Sequence, residues 1–132
     1  MSIFTFEILL SGIIIGVIIF QSFFVAPIIF SSIEESQARI FIRKIFPKLF
    51  IFLTLLGFIM IVSNLLLRKP NNLEYLSLIN FLLPLICYLI IPATNNATDN
   101  KDEKKFKILH TVSVLLTLVI LFSNLILSFF KN

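Results

Sequence analysis

Apolar residues in this chain gather into four long blocks separated by polar stretches, without the period-two alternation of a half-buried strand. The blocks run from about Thr5 to Phe30, Pro47 to Leu67, Leu73 to Ile91 and Phe106 to Phe129. A helix needs about 20 apolar residues to cross a hydrocarbon core of about 30 Å, and each block is of that order. A barrel would show shorter, alternating segments. The pattern predicts an all-α fold: an integral membrane four-helix bundle, one domain over residues 1–132 with helices near 5–30, 47–67, 73–91 and 106–129. It also predicts a short interfacial amphipathic helix between the first two spans.

That interfacial helix rests on "SIEESQARIFIRKIF". Ser32 and Glu35 have capping-box spacing. Ala38, Phe41, Ile42 and Ile45 share one helical face, Glu35, Arg39 and Arg43 another. Glu35 and Arg39 form an i,i+4 pair worth about 0.3 kcal/mol. Such a helix would lie in the headgroup layer with Arg39, Arg43 and Lys44 toward anionic lipid; the alternative is an ordinary basic loop. Pro47 would open the second span, where a missing N–H does no harm. "RKPNNLE" is short enough to make an antiparallel hairpin of the second and third spans. "PATNNATDNKDEKK", from Pro92 to Lys105, lacks bulky apolar residues and is expected to be a mobile loop.

Composition sharpens this picture. The 132 residues are 58% hydrophobic and 14% charged, too few charges to cover a soluble domain of this size. Net charge is +4, which on a soluble protein would suggest a nucleic-acid partner. Here eight of the eleven Lys and Arg lie in the first and third connections, so they mark orientation and no nucleic-acid partner is expected. Both connections should face the cytoplasm and both termini the periplasm, in what the Ile-, Phe-, Lys- and Asn-rich composition suggests is a bacterial inner membrane. The lipid bilayer is the expected partner, with a homo-oligomer or another membrane protein also open. No Lys or Arg precedes Arg39, and Pro27 after Ala26 makes a poor cleavage junction, so the first block is expected to be retained. Cys87 is the only cysteine, which excludes an intramolecular disulfide.

Polar side chains inside the spans are the candidate functional residues, because hydrocarbon turns them toward other helices or a wet cavity. They include Gln21, Asn64 and Asn80. His110, Ser113, Thr117 and Asn124 fall on one stripe, the expected inward face of the last helix. Plain interhelical hydrogen bonding is the blander account of all of these. Gly12 and Gly16 form a GxxxG for helix packing, inside the bundle or between copies. Glu7 lies at the edge of the first span and reads as an interfacial charge, with no carboxylate deep within a span to form a proton relay. His110 has no second His to share a haem or metal, so neither metal nor cofactor is expected.

The stretch "FQSFFVAPIIF" carries Gln21, Ser22 and Pro27 within apolar surroundings. Pro27 removes a backbone donor and frees the carbonyl of Phe23, predicting a bend near the end of the first helix. "FVAPIIF", "KIFPKLF" and "FKILHTVS" together resemble the TMEM205-like family, the DUF4149 domain. The resemblance covers nearly the whole chain and falls on Pro27, Phe30, Phe46, Pro47, His110 and Ser113. Where that family often has an Asn two turns after the His, this chain has Thr117, and its nearest Asn is Asn124. The resemblance implies a four-helix membrane protein without an established biochemical activity.

No nucleophile–base set, metal cluster or phosphate loop stands out, so enzyme activity is not the leading expectation. The leading reading is a small multi-pass membrane protein with a structural, assembly or membrane-homeostasis role. A component of an oligomeric small-solute or ion transporter is the first alternative, and a haem-linked membrane oxidoreductase the second.

Overall fold

The computed structural model describes residues 3–67 and 73–129. Helix α1 (Ile3–Phe20) widens into a single π-helical turn (Gln21–Val25) and continues as α2 (Ala26–Ser32). Then come α3 (Glu35–Leu67), α4 (Leu73–Asp99) and α5 (Glu103–Phe129), with no strand among the described residues. Four helical segments are long and apolar enough to cross a membrane: Thr5–Ser32, Glu35–Leu67, Glu74–Asp99 and Glu103–Ile126. This is the all-α, four-helix membrane architecture that the hydropathy pattern predicts.

Core and lipid faces both consist of aliphatic and Phe side chains, so shape decides which residues lie inside. Leu10, Ile14 and Ile18 of α1 lie one turn apart and meet Phe50, Leu53, Leu56 and Met60 of α3. Leu76 and Cys87 of α4 and Ile120 of α5 complete the core. Phe23, Phe30, Leu66 and Leu89 point outward, as expected of helices solvated by acyl chains. Because lipid tails are as apolar as leucine, helix association in a membrane rests on close packing and hydrogen bonds. Helices α3 and α4 come close enough that a Cβ on Gly57 would lie 2.3 Å from the backbone carbonyl of Asn80.

Three local expectations are corrected. Ser32 is the last residue of α2, Ile33 is extended (φ −126°, ψ 144°) and α3 begins at Glu35, so no capping box forms. The surface helix is not a separate element either. It forms the first turns of α3, which runs unbroken through Pro47. At 1.5 Å per residue a helix of this length is about 50 Å long and overshoots the bilayer core. The overshoot leans on protein: Ala38 is buried, and Arg43 pairs with the Asp99 carboxylate while donating to the Asn95 carbonyl at 3.4 Å. Arg43 is therefore spent inside the chain, and Arg39 pairs with Glu35 at 2.9 Å; of the three expected lipid-facing cations, Lys44 stands exposed without a described ion pair.

The expected mobile loop is mostly helix. Residues Pro92 to Asp99 extend α4, with Ala97 buried and Thr94 and Thr98 donating to carbonyls one turn back at 3.1 and 3.0 Å. The reversal is confined to Asn100–Asp102. Lys101 takes a left-handed conformation (φ 55°), and Asp102 caps α5 by accepting the Lys105 N–H at 3.0 Å. The stretch lacks bulky apolar residues but offers small side chains at Ala93, Thr94, Ala97 and Thr98. In the fold they let α4 pack closely beside the start of α3.

Substitution of Gly57 by Ala should lower stability by about 1–3 kcal/mol, since backbone must move to admit the methyl group. Gly12→Ala and Gly16→Ala should leave the melting temperature in detergent unchanged or slightly raised, as a Cβ at either meets nothing within 4 Å. Equal tolerance at all three positions in thermal unfolding would contradict the crossing geometry.

Candidate functional site

Apart from Gln21, the buried polar groups collect near one end of the bundle, where α1 starts, α3 ends, α4 starts and α5 ends. Each helix contributes for a local reason. On α1, Glu7, Ser11, Ile14, Ile18 and Gln21 recur at alternating steps of four and three, a single inward stripe. On α4, Ser77 and Asn80 share a face one turn apart. Asn64 of α3 and Asn124 of α5 reach the same level from the opposite chain direction.

At its centre Asn80 and Asn124 exchange hydrogen bonds. Asn80 Nδ2 donates to Asn124 Oδ1 at 3.0 Å, and Asn124 Nδ2 donates back to Asn80 Oδ1 at 2.7 Å. Both residues are fully buried. Asn124 Nδ2 also donates to the Ile120 carbonyl at 2.7 Å, and Asn80 Nδ2 approaches Met60 Sδ at 3.3 Å. Beside this pair, Asn64 Nδ2 donates to Ser77 Oγ at 3.2 Å, and Ser77 Oγ donates to the Glu74 carbonyl at 2.8 Å. This half of the set meets its hydrogen-bonding requirements within the protein.

Glu7 and Ser11 do not. Glu7 is 0% exposed and Ser11 1%. Neither carboxyl oxygen of Glu7, nor Ser11 Oγ, has a hydrogen-bond partner among the described residues. Asn64 is the amide beside the carboxyl, and its Nδ2 donates to Ser77 instead. The reading of Glu7 as an interfacial charge is thus corrected: the bundle encloses it. Its signal was present in the sequence as the Glu7–Ser11–Ile14–Ile18 spacing, which marks Glu7 as inward. An enclosed carboxyl with an adjacent hydroxyl and nearby amides can take up a proton or coordinate a small cation.

The remaining candidates are dispersed. His110 is exposed on α5 and stacks on Phe106, with ring centroids 5.6 Å apart and planes 7° apart. Ser113 and Thr117 are half-buried; the Ser113 carbonyl accepts from Thr117 Oγ1 at 2.8 Å and faces Cys87 Sγ at 3.8 Å. The stripe expected to face inward therefore divides, and Asn124 alone of its four members joins the buried set. Two heptads separate His110 from Asn124, over which a straight helix drifts by about 40°. Gln21 is 8% exposed, and its Nε2 has no described partner. It opens the π turn, where the Ala26 N–H reaches back to the Gln21 carbonyl, one residue before Pro27. Pro27 and Phe30 are exposed, and Pro47 is half-buried within α3. Gly12 and Gly16 lie on an outer face, so of their two expected packing roles the one inside the bundle is taken by Gly57. No three His, Cys, Asp or Glu side chains are grouped to hold a metal among the described residues.

The family model "Domain of unknown function (DUF4149)" matches residues 9–103. The chain belongs to the DUF4149 family. The match runs from Leu9 within α1 to the first residue of α5 in this DUF4149 protein, including Gly57 and Asn80, and leaves out Glu7 and the His110–Ser113 segment. No curated protein and no solved structure matches the chain.

Asn80→Leu and Asn124→Leu should each destabilise this DUF4149 protein by about 1–3 kcal/mol, because each strands a buried amide. The double Leu variant should lose less than the sum of the two. Additive losses in a double-mutant cycle, read by thermal or denaturant unfolding in detergent, would argue against the reciprocal pair.

Proposed function

We propose that this membrane protein is a transport component in which Glu7 is the binding group for a proton or a small monovalent cation. One observation carries the reading: an enclosed carboxyl whose two oxygens lack a described partner, set beside the Asn64 amide and one helical turn from Ser11. An ionised carboxylate held this way is costly unless a proton or cation accompanies it. Ionisable groups inside membrane spans commonly mark ion or proton paths. Ser11 Oγ offers a neutral oxygen to a weakly held monovalent ion, and a second copy of the chain could complete the path.

A structural or assembly role is the competing reading, favoured by the reciprocal Asn80–Asn124 pair, which fits interhelical adhesion without any ligand. His110 has no part in the buried set, so the haem-linked reading gains no support from this geometry. We further place the Lys-rich end in the cytoplasm and both termini in the periplasm of a bacterial inner membrane. The pairing of Arg43 with Asp99 supports this, since it holds the first and third connections at one end with eight of the eleven cationic residues. The motif segments at Pro27 and Pro47 support assignment to the TMEM205-like members of the family.

Proteoliposomes provide the test. Wild-type protein should dissipate an imposed proton or alkali-cation gradient faster than empty vesicles. Glu7→Gln keeps the shape, removes the titratable group and should abolish that flux while leaving the melting temperature equal or higher. No flux above background with wild-type protein, or flux unchanged in Glu7→Gln, would sink the transport reading.

A further inference from the structure

A second site lies toward the opposite end of the bundle, independent of Glu7. Between α1 and the start of the span in α3 runs a groove of about 480 Å³. Its walls are apolar, including Val17, Phe20, Leu49 and Phe52, with Gly16, Gln21 and Lys48 completing the lining. Gly16 opens one wall, because nothing lies within 4 Å of where its Cβ would be. Gln21 is more than nine-tenths buried, and its Nε2 has no described hydrogen-bond partner. Gln21 continues the inward stripe of α1 and lines the groove where the π turn begins. Lys48 is exposed, and Lys44 stands exposed one turn before it on α3.

We propose that this groove holds one acyl chain of an anionic glycerophospholipid, with its phosphate on Lys48 and a glycerol ester carbonyl on the Gln21 amide. The arrangement follows the chemistry of such a lipid from tail to head: apolar walls past Gly16, a neutral donor at the ester level, and cations at the phosphate level. A half-turn about the terminal bond exchanges the two nearly isosteric ends of the Gln21 amide, so its donor can serve the groove without repacking. Basic pockets between spans are established settings for anionic headgroups. A second copy docked by two-fold symmetry on this face would set like charges from Lys48 against each other, which favours lipid as the occupant.

The experiment uses the full chain in neutral detergent, with dioleoyl phosphatidylglycerol or dioleoyl phosphatidylcholine added. Native mass spectrometry counts retained lipid, thermal unfolding reads stabilisation, and light scattering reports oligomeric state. Phosphatidylglycerol should be retained preferentially and raise the wild-type melting temperature by about 3 °C or more. Lys48→Gln should weaken phosphatidylglycerol binding about five- to tenfold. Gly16→Leu should fill the groove and remove retention of both lipids without lowering the melting temperature of the lipid-free protein. Gln21→Leu should lower retention of both lipids, since both carry ester carbonyls. Equal retention of the two lipids by wild type, or undiminished phosphatidylglycerol retention in both Lys48→Gln and Gly16→Leu, would overturn the proposal. So would a wild-type dimer that Gly16→Leu dissolves with no change in lipid retention, which would make this face a contact between copies.

Discussion

The close crossing of α3 and α4 at Gly57 is the contact on which the rest of the bundle depends. Lipid gives two apolar helices little reason to associate, so the drive comes from backbones brought near enough for dense packing and for polar side chains to meet. Gly57 lies against the backbone of Asn80, and the side chain of that same residue crosses to Met60 of α3 and Asn124 of α5. One residue therefore joins three helices, through its backbone on one side and its amide on the other. Helix α1 closes over this unit with Leu10, Ile14 and Ile18, and in doing so buries Glu7 and Ser11.

The two polar features of α1 differ in how the helix presents them. Glu7 and Ser11 ride on a regular stripe and are carried inward by the same face that packs Ile14 and Ile18. Gln21 continues that stripe but sits where the helix widens, just before Pro27 takes a donor out of the ladder. The wider turn absorbs the missing donor and leads into α2, which stops at the extended Ile33, where the chain turns into α3. A segment that looks like a defect in a membrane helix is thus the adjustment that fits α1 to its neighbours.

Much of the architecture was legible from hydropathy, and the errors share one cause. Pro92–Asp99 reads as loop because it lacks large apolar residues. Yet small residues are what two helices need where they run side by side beyond the lipid, and Ala38, Ala97 and the Arg43–Asp99 pair hold that extension together. The GxxxG of Gly12 and Gly16 lies on an outer face and takes no part in packing within the bundle, where a lone Gly57 makes the close approach. Spacing along one helix cannot report which face another helix will choose. His110 was set with Asn124 by its offset, and accumulated drift moved it to an exposed face.

By itself the sequence determined the number of spans, their helical character, the antiparallel threading and the end at which the basic residues gather. These follow from the length of apolar blocks and the cost of unpaired backbone in lipid, both local properties. Only the tertiary structure decided which polar side chains meet. Asn80 and Asn124 are 44 residues apart and satisfy one another, while Glu7, a surface charge by position, is enclosed without a described partner. In a chain whose inside and outside are equally apolar, hydropathy cannot tell core from lipid face, and the fit between helices makes that choice.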